Sequence, residues 1–334
     1  MFRIGLVYDS KDEYRSLGFD EESIAEYDSE ETIQALDDGL SHLGAYVTRI
    51  GRGLNLARRL AGGENWDLIW NISEGEQGRS REAQVPALCE MYGQPYVFSD
   101  PLTMSVTLDK SMAKRVVRDA GIPTAAFTVL ETTAQTAKLD IPFPVFLKPI
   151  AEGTSKGCAL SSVCYDLTAA KKTTKELIAK FNQPVLAETY LSGREFTVGI
   201  VGNGKKARVI GTAEILIRKD IKDRVYSYSN KMNYRDRVSY VIPKDRIVQK
   251  IEQYALGVYQ VLDCRDSARV DFLCDEKGTP HFLEVNPIAG LNPEDSDLPI
   301  LARLKGHTYQ WLLEQILFSA CERLGVRFPM KAAV

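Results

Sequence analysis

At 334 residues the chain exceeds one ordinary domain, and two or three compact units are the natural expectation. Its 44% hydrophobic and 26% charged residues describe a soluble globular protein, and a net charge of -3 argues against a surface made for nucleic acid or anionic membranes. No apolar run reaches transmembrane length and Met1 leads straight into a strand instead of a signal peptide, so a cytoplasmic location is expected. The cysteines (Cys89, Cys158, Cys164, Cys264, Cys274 and Cys321) show no Cys-x-x-Cys spacing, so buried free thiols are expected and neither zinc nor a disulfide framework is indicated.

The first hundred residues alternate strand and helix, the pattern of a parallel α/β unit. Residues 3–8 form an apolar strand, and in Glu30–Leu43 the side chains of Ile33, Leu36, Leu40 and Leu43 fall on one helical face. Between them lies a long acidic segment, 9–29, which is either a substrate loop or a solvated insertion. Residues 67–72 read as a further strand, followed by Ser73-Glu74-Gly75-Glu76-Gln77-Gly78-Arg79-Ser80-Arg81-Glu82. Open α/β sheets bind ligands beyond the carboxyl ends of their strands, where this loop sits; a plain flexible loop is the alternative. A helix at 84–92 and a short strand at 96–98 come next. Asp109-Lys110 then opens an amphipathic helix with Met112, Val116, Val117 and Ala120 inside, ended by Gly121-Ile122-Pro123.

In the middle of the chain, a strand at 143–149 carries Lys148 near its end and is followed by Glu152-Gly153-Thr154-Ser155-Lys156-Gly157. Glycines and small hydroxyls let backbone N–H groups approach phosphate oxygens, although such runs are also ordinary turns and this one lacks the Gly-Lys-Ser/Thr ending of a P-loop. The strand at 184–191 bears Glu188, and Gly193-Arg194-Glu195-Phe196-Thr197-Val198 begins another. An acid there can accept from an adenine amino group or ribose hydroxyls, or simply face solvent.

Near the C-terminus two alternating runs, Ser267 to Leu273 and His281 to Pro287, flank a turn at 275–280. A hairpin centred on Lys277-Gly278 puts Asp271 opposite Glu284 and Arg269 opposite Asn286. Two acids and an amide beside an arginine match what magnesium takes next to nucleotide phosphates; solvent-facing charges on a surface hairpin are the alternative. Ile247, Ile251, Val258 and Leu262, then Trp311, Leu312, Ile316, Ala320 and Leu324, line two scaffold helices, and His42, His281 and His307 show no ligand spacing.

Taken in order, the Lys148 strand with its glycine/serine loop, the Glu188 strand, the Glu195 segment and the Arg269/Asp271/Glu284/Asn286 hairpin resemble the ATP-grasp superfamily, specifically the D-alanine–D-alanine ligase family, over residues 67–320. The resemblance implies a mixed α/β and α+β ATP-grasp fold with an N-terminal Rossmann-like parallel α/β domain. Its divisions are a pre-ATP-grasp unit at 1–104, a lid at 105–190 and a catalytic unit at 191–334. It implies ATP, two magnesium ions (manganese as a substitute), small-molecule carboxylate and amine substrates, and a homodimer.

By the same resemblance, Lys110 and Lys148 lie on the nucleotide phosphates with Ser155 in the covering loop, Glu188 and Leu191 at the adenine, and Glu195 on the ribose. Asp271, Glu284 and Asn286 hold metal, while Arg269 and the backbone at Gly290 stabilise the tetrahedral intermediate. Ser296 falls where the acceptor carboxylate is held, and the segment 226–232 resembles a mobile loop whose lysine, Lys231, reaches the γ-phosphate. Such residues support a reaction in which ATP phosphorylates a carboxylate and an amine attacks the acyl phosphate; one oxyanion donor is worth ~3 to 4 kcal/mol of barrier. The expected activity is amide formation between amino-acid-like substrates, with authentic D-alanine–D-alanine ligase or a non-catalytic nucleotide-binding protein as alternatives.

Three departures bear on the substrate. The family's Gly-Gly-x-Ser-x-Glu segment is replaced by Tyr8-Asp9-Ser10-Lys11 and the acidic insertion, where Glu26 or Glu22 would supply the first-substrate glutamate. Its loop tyrosine is Met232 and its loop serine Thr154. Its His-Gly and Gly-Glu-Asp-Gly motif becomes the segment 73–82, with Glu74, Arg79 and Arg81 as candidates for substrate contact.

Overall fold

Hydrophobic residues on both sides of a strand require cover on both sides, and β1 (Phe2–Val7) has it: only Arg3 is exposed. The computed structural model, which describes residues 1–217 and 238–329, continues with α1 (Lys11–Ser16), α2 (Glu30–Leu43), β2 (Ala45–Gly51), α3 (Gly53–Ala61), β3 (Leu68–Asn71), α4 (Gln84–Met91), α5 (Pro101–Leu108) and α6 (Lys110–Asp119). The first sheet is parallel, in the order β2-β1-β3. Residues 96–98 do not form a strand in it; Tyr96 makes a single bridge to Ile69.

A second sheet, antiparallel, runs β4 (Phe127–Leu130), β5 (Val145–Pro149), β6 (Val163–Cys164), then after α7 (Leu167–Phe181), β7 (Val185–Thr189), in the spatial order β4-β7-β5-β6. The third, also antiparallel, comprises β8 (Glu195–Val201), β9 (Arg208–Ile217), β10 (Val238–Val241) and, after α8 (Ile247–Val261), β11 (Ser267–Cys274) and β12 (Pro280–Asn286), in the order β10-β9-β8-β11-β12. Two helices finish the described chain, α9 (Asp297–Leu304) and α10 (Tyr309–Leu324).

The apolar stripe of α10 does not pack on the third sheet alone. Leu312, Ile316 and Ala320 join Ile4, Leu6, Ile33 and Leu36 in one core, so the end of the chain clamps the first sheet to the third. The helix α6 corrects its expected face: Met112 and Ala120 are exposed and Val116 only half-buried, whereas Lys110, Lys114, Ala113 and Val117 are buried. Ala113 and Val117 belong to the core of the third sheet, with Val198, Val270 and Val285. The two lysines are buried because they face a cleft, not solvent. Cys158 is half-buried and the other five cysteines are buried, all free. Among the described residues no helix is long and apolar enough to cross a membrane.

Candidate active site

The hairpin forms with the expected pairing: Asp271 faces Glu284 and Arg269 faces Asn286, with a bulge just after Asp271. Gly278, at φ 80, supplies the left-handed position that the turn needs. Arg269 donates from Nε to both carboxylate oxygens of Asp271 at 3.1 Å and from a terminal nitrogen to Oδ2 at 2.8 Å. Its other terminal nitrogen donates to Asp297 at 2.6 Å, and Glu284 lies 3.6 Å away. From β8, Thr197 Oγ1 donates to Asp271 at 2.8 Å, while the Tyr240 hydroxyl donates to Asp297. The acids here outnumber the cations. Burial, then the neighbouring Asp271, Glu284 and Asp297, pushes Glu195 up to about 8, and Asp271 is raised by burial and by Glu284 despite Arg269.

A cavity of about 780 Å³ lies between the second and third sheets, with Lys110, Lys148, Ser155, Glu188, Leu191 and Glu195 on its walls. Glu188 is 4% exposed and sits between two buried lysines, 2.7 Å from Lys148 Nζ and 2.9 Å from Lys114 Nζ. Burial would raise its pKa, but the lysines outweigh it and hold Glu188 at about 2. The lysines themselves move oppositely: burial wins at Lys114, which is lowered, and Glu188 wins at Lys148, which is raised. Glu188 Oε2 is itself buried, with the Lys114 ammonium as its neighbour. Buried cations at one end and apolar walls such as Phe146 and Phe282 suit a nucleotide with its phosphates toward Lys110 and Lys148.

A second cavity, of about 550 Å³, shares Lys110, Glu152, Arg269, Glu284 and Asp297 with the first. Its walls include Glu26, Glu74, Thr154, Asn286, Gly290 and Ser296. The loop 153–157 partitions the two, Thr154 facing the second cavity and Ser155 the first. Both hold left-handed backbone, φ 47 and φ 54, which costs on the order of 1–3 kcal/mol each in residues with a Cβ. Glu26 holds that loop. It accepts from the Gly153 N–H, where any Cβ would lie 2.5 Å from Glu26 Oε1, and pairs with Lys156 at 3.1 Å and Arg81 at 3.2 Å. Burial opposes its charge, but Arg81 and Lys156 hold Glu26 below the ordinary carboxylate range.

Arg79 departs from expectation: it is 76% exposed, pairs with Asp109 at 2.6 Å and lines neither cavity, because the loop turns it outward. Arg81, two residues on, is the buried one and also donates to the Ala151 carbonyl at 2.9 Å. Glu22 pairs with Lys180 at the surface, so of the two expected candidates it is Glu26 that faces the smaller cavity. Arg81→Met is accordingly expected to lower stability by about 3 kcal/mol, since it takes one of two cations from the buried Glu26 carboxylate, and Arg79→Met by no more than ~1 kcal/mol. Urea midpoints of the two variants check the contrast.

Ser296 caps α9, and its Oγ accepts from the Asn292 N–H at 3.0 Å. A Cβ at Gly290 would lie 2.7 Å from that oxygen, so only glycine lets the 287–290 turn close here. Lys231 and Met232 lie outside the described residues.

Residues 116–318, well over half the chain, match the family described as D-ala D-ala ligase C-terminus. The D-alanine–D-alanine ligase of Bordetella pertussis is 35% identical over 247 residues, covering 72% of this chain and 74% of its own length. The chain belongs to the D-alanine–D-alanine ligase family. Another relative, the protein y4sG of Sinorhizobium fredii, is 30% identical over 259 residues, 77% of this chain and 75% of that one. The crystal structure of D-alanine–D-alanine ligase from Bacillus anthracis complexed with ATP superposes with a TM-score of 0.72 over 97% of this chain and 98% of that one, at 20% identity. The fold is that of the ATP-grasp proteins, with the parallel α/β unit at its N-terminus.

Sequence reasoning overlooked Lys114, Asp297 and Lys156, each of which pairs with a charged residue of the two cavities. Lys114 stands four residues after Lys110, one helical turn on, and that spacing could have found it. Asp297 follows a helix N-cap, where an acid has an ordinary explanation, so nothing local marked it.

Proposed function

We propose that this protein is an ATP-dependent ligase that joins the carboxylate of one amino-acid-like substrate to the amine of another, releasing ADP and phosphate. The observation that carries this reading is the hairpin at the junction of the two cavities: Arg269 and Glu284 form walls of both. A nucleotide in the larger cavity and an acyl donor in the smaller would meet there.

The donor carboxylate, drawn to Arg269 and Lys110, attacks the γ-phosphorus; the bond to the β-phosphate oxygen breaks and ADP leaves. Lys110 and Lys148 offset the charge of two approaching anions. Asp271, Glu284 and Asn286 are the side chains that would hold magnesium, and the surplus of buried carboxylate around Glu195 and Asp271 fits a cation there. Bound magnesium would supply charge neutralisation at the phosphates. The amine then attacks the acyl carbon, and the charge that develops on the carbonyl oxygen is met by the Arg269 guanidinium and the Gly290 N–H. The carbon–oxygen bond breaks and phosphate departs with the proton lost by nitrogen. The 153–157 loop covers the site and limits hydrolysis of the acyl phosphate.

Relatives named D-alanine–D-alanine ligase favour a second reading in which both substrates are D-alanine. Incubation with ATP and a pool of D- and L-amino acids, followed by mass spectrometry, decides between them. Mixed or non-alanine products support the first reading, and a D-alanine dimer as main product replaces it with the second. Absence of ADP release with every pool would remove both.

A further inference from the structure

Resting on the ligase reading above, we propose that Asp297 and Tyr240 are positioning residues for the second half of the reaction: they hold Arg269 so that its remaining N–H groups meet the carbonyl oxygen as the amine attacks. Arg269 is gripped on two edges. Nε and one terminal nitrogen donate to Asp271, and the other terminal nitrogen donates to Asp297 at 2.6 Å. A guanidinium has five N–H donors. Among the described residues three of them are taken, which leaves one on each terminal nitrogen for a substrate oxygen.

Each grip is itself fixed. Asp271 shares β11 with Arg269, and Thr197 donates to it from β8. Asp297 opens α9, and that helix lies directly on the third sheet at Gly199 and Gly211, which are paired across β8 and β9. A Cβ at Gly199 would lie 2.8 Å from Leu298 Cδ1, and one at Gly211 would lie 2.7 Å from the Leu301 carbonyl oxygen. The second carboxylate oxygen of Asp297 accepts from the Tyr240 hydroxyl on β10. An acid at the first position of a helix ordinarily faces water and answers the helix dipole. This one is buried and gives one oxygen to each partner, so its plane is set from both sides.

The two grips face different chemistry. Asp271 stands opposite Glu284, where magnesium and the phosphates are proposed. Asp297 follows Ser296, and both line the smaller cavity beside Gly290, whose backbone closes on the Ser296 hydroxyl. Loss of Asp297 keeps the positive charge that draws the donor carboxylate, but lets the guanidinium swing about its Asp271 edge. The acyl phosphate still forms, and its carbonyl oxygen then lacks aligned donors when the amine arrives. Slower attack by the amine lets water compete. Hydrolysis breaks the carbon–oxygen bond and returns the carboxylate and phosphate, with ADP already released.

Full-length wild type, Asp297→Ala, Asp297→Asn and Tyr240→Phe would be given ATP and the pool of D- and L-amino acids, with ADP measured enzymatically and total amide product by mass spectrometry. Asp297→Ala is expected to lower amide formation about 100-fold, with KM for ATP within about twofold of wild type and ADP released per amide up about tenfold. Tyr240→Phe should move the same ratio in the same direction, by about fivefold, and serves alone if Asp297→Ala does not fold. Asp297→Asn keeps an oxygen acceptor for Arg269 and should recover most of the loss. ADP and amide falling in parallel, at wild-type stoichiometry, would give Asp297 a structural role only and overturn the inference. So would an Asp297→Ala enzyme as fast as wild type, and either result leaves the ligase reading standing. Wild type that releases no ADP with any pool removes the ligase reading and the inference with it.

Discussion

Asp271→Asn is expected to cut ADP release about 1,000-fold or more while the protein stays folded. The substitution preserves shape, and the fold around it has other ties: Arg269 keeps Asp297 at 2.6 Å, and β11 keeps its ladder to β8 and β12. What it removes is charge beside Arg269 and opposite Glu284, two residues that wall both cavities. The proposed metal ligand becomes neutral, and Arg269 loses the bidentate partner that fixes its plane, so its remaining contact with Asp297 can draw the guanidinium away from the place proposed for the reacting carbonyl. Thr197→Val supplies the control. It deletes only the hydroxyl that donates to Asp271 at 2.8 Å, and a loss of about tenfold or less is expected. Steady-state ADP release and a melting curve for each variant give the comparison; an Asp271→Asn enzyme retaining a tenth of wild-type activity would end the metal assignment.

The hairpin was readable because its information is local. Period-two alternation sets which side chains share a face, and the Lys277-Gly278 turn sets the register, so Asp271 and Glu284 could be paired from the sequence. The helix at 110–119 misled for a related reason. Counting apolar residues finds the side that faces a core, but this helix borders a cavity and buries Lys110 and Lys114 while exposing Met112. A polar group with a partner is as good a tenant of a buried face as an apolar one. Arg79 and Arg81 are equivalent as letters, and only the path of the loop separates an exposed arginine from a buried one. The contacts of Glu26 span 55 residues to Arg81 and 127 to Gly153, separations at which no periodicity reports. The side chains proposed for acyl activation sit on strands, and their pairing was legible for that reason. The substrate walls sit on loops whose neighbours are chosen by tertiary structure.

Glu188→Gln is expected to lower stability by about 3–5 kcal/mol at neutral pH. Lys114 and Lys148 are nearly inaccessible, with side chains 1% and 6% exposed, and both approach the same carboxylate. Removing its charge leaves two ammonium groups facing one another in a medium that screens them poorly, which is the costly case for a buried ion cluster. The pH dependence follows from the direction of the shift. Folded Glu188 titrates at about 2 against an unfolded value near 4.5, so its contribution is fully present above pH 4.5 and is lost as pH falls toward 2. Wild type should therefore lose about 3 kcal/mol through that window from this group, and the variant should lose correspondingly less. Lys114→Met added to Glu188→Gln should restore part of the stability, because it removes one of the uncompensated charges. Denaturant midpoints at pH 7 and pH 3 for wild type, single and double variants test each step. A single variant within 1 kcal/mol of wild type at pH 7 would mean that the lysines are already relieved by other means, and that Glu188 does not anchor Lys148 at the phosphate end of the cleft.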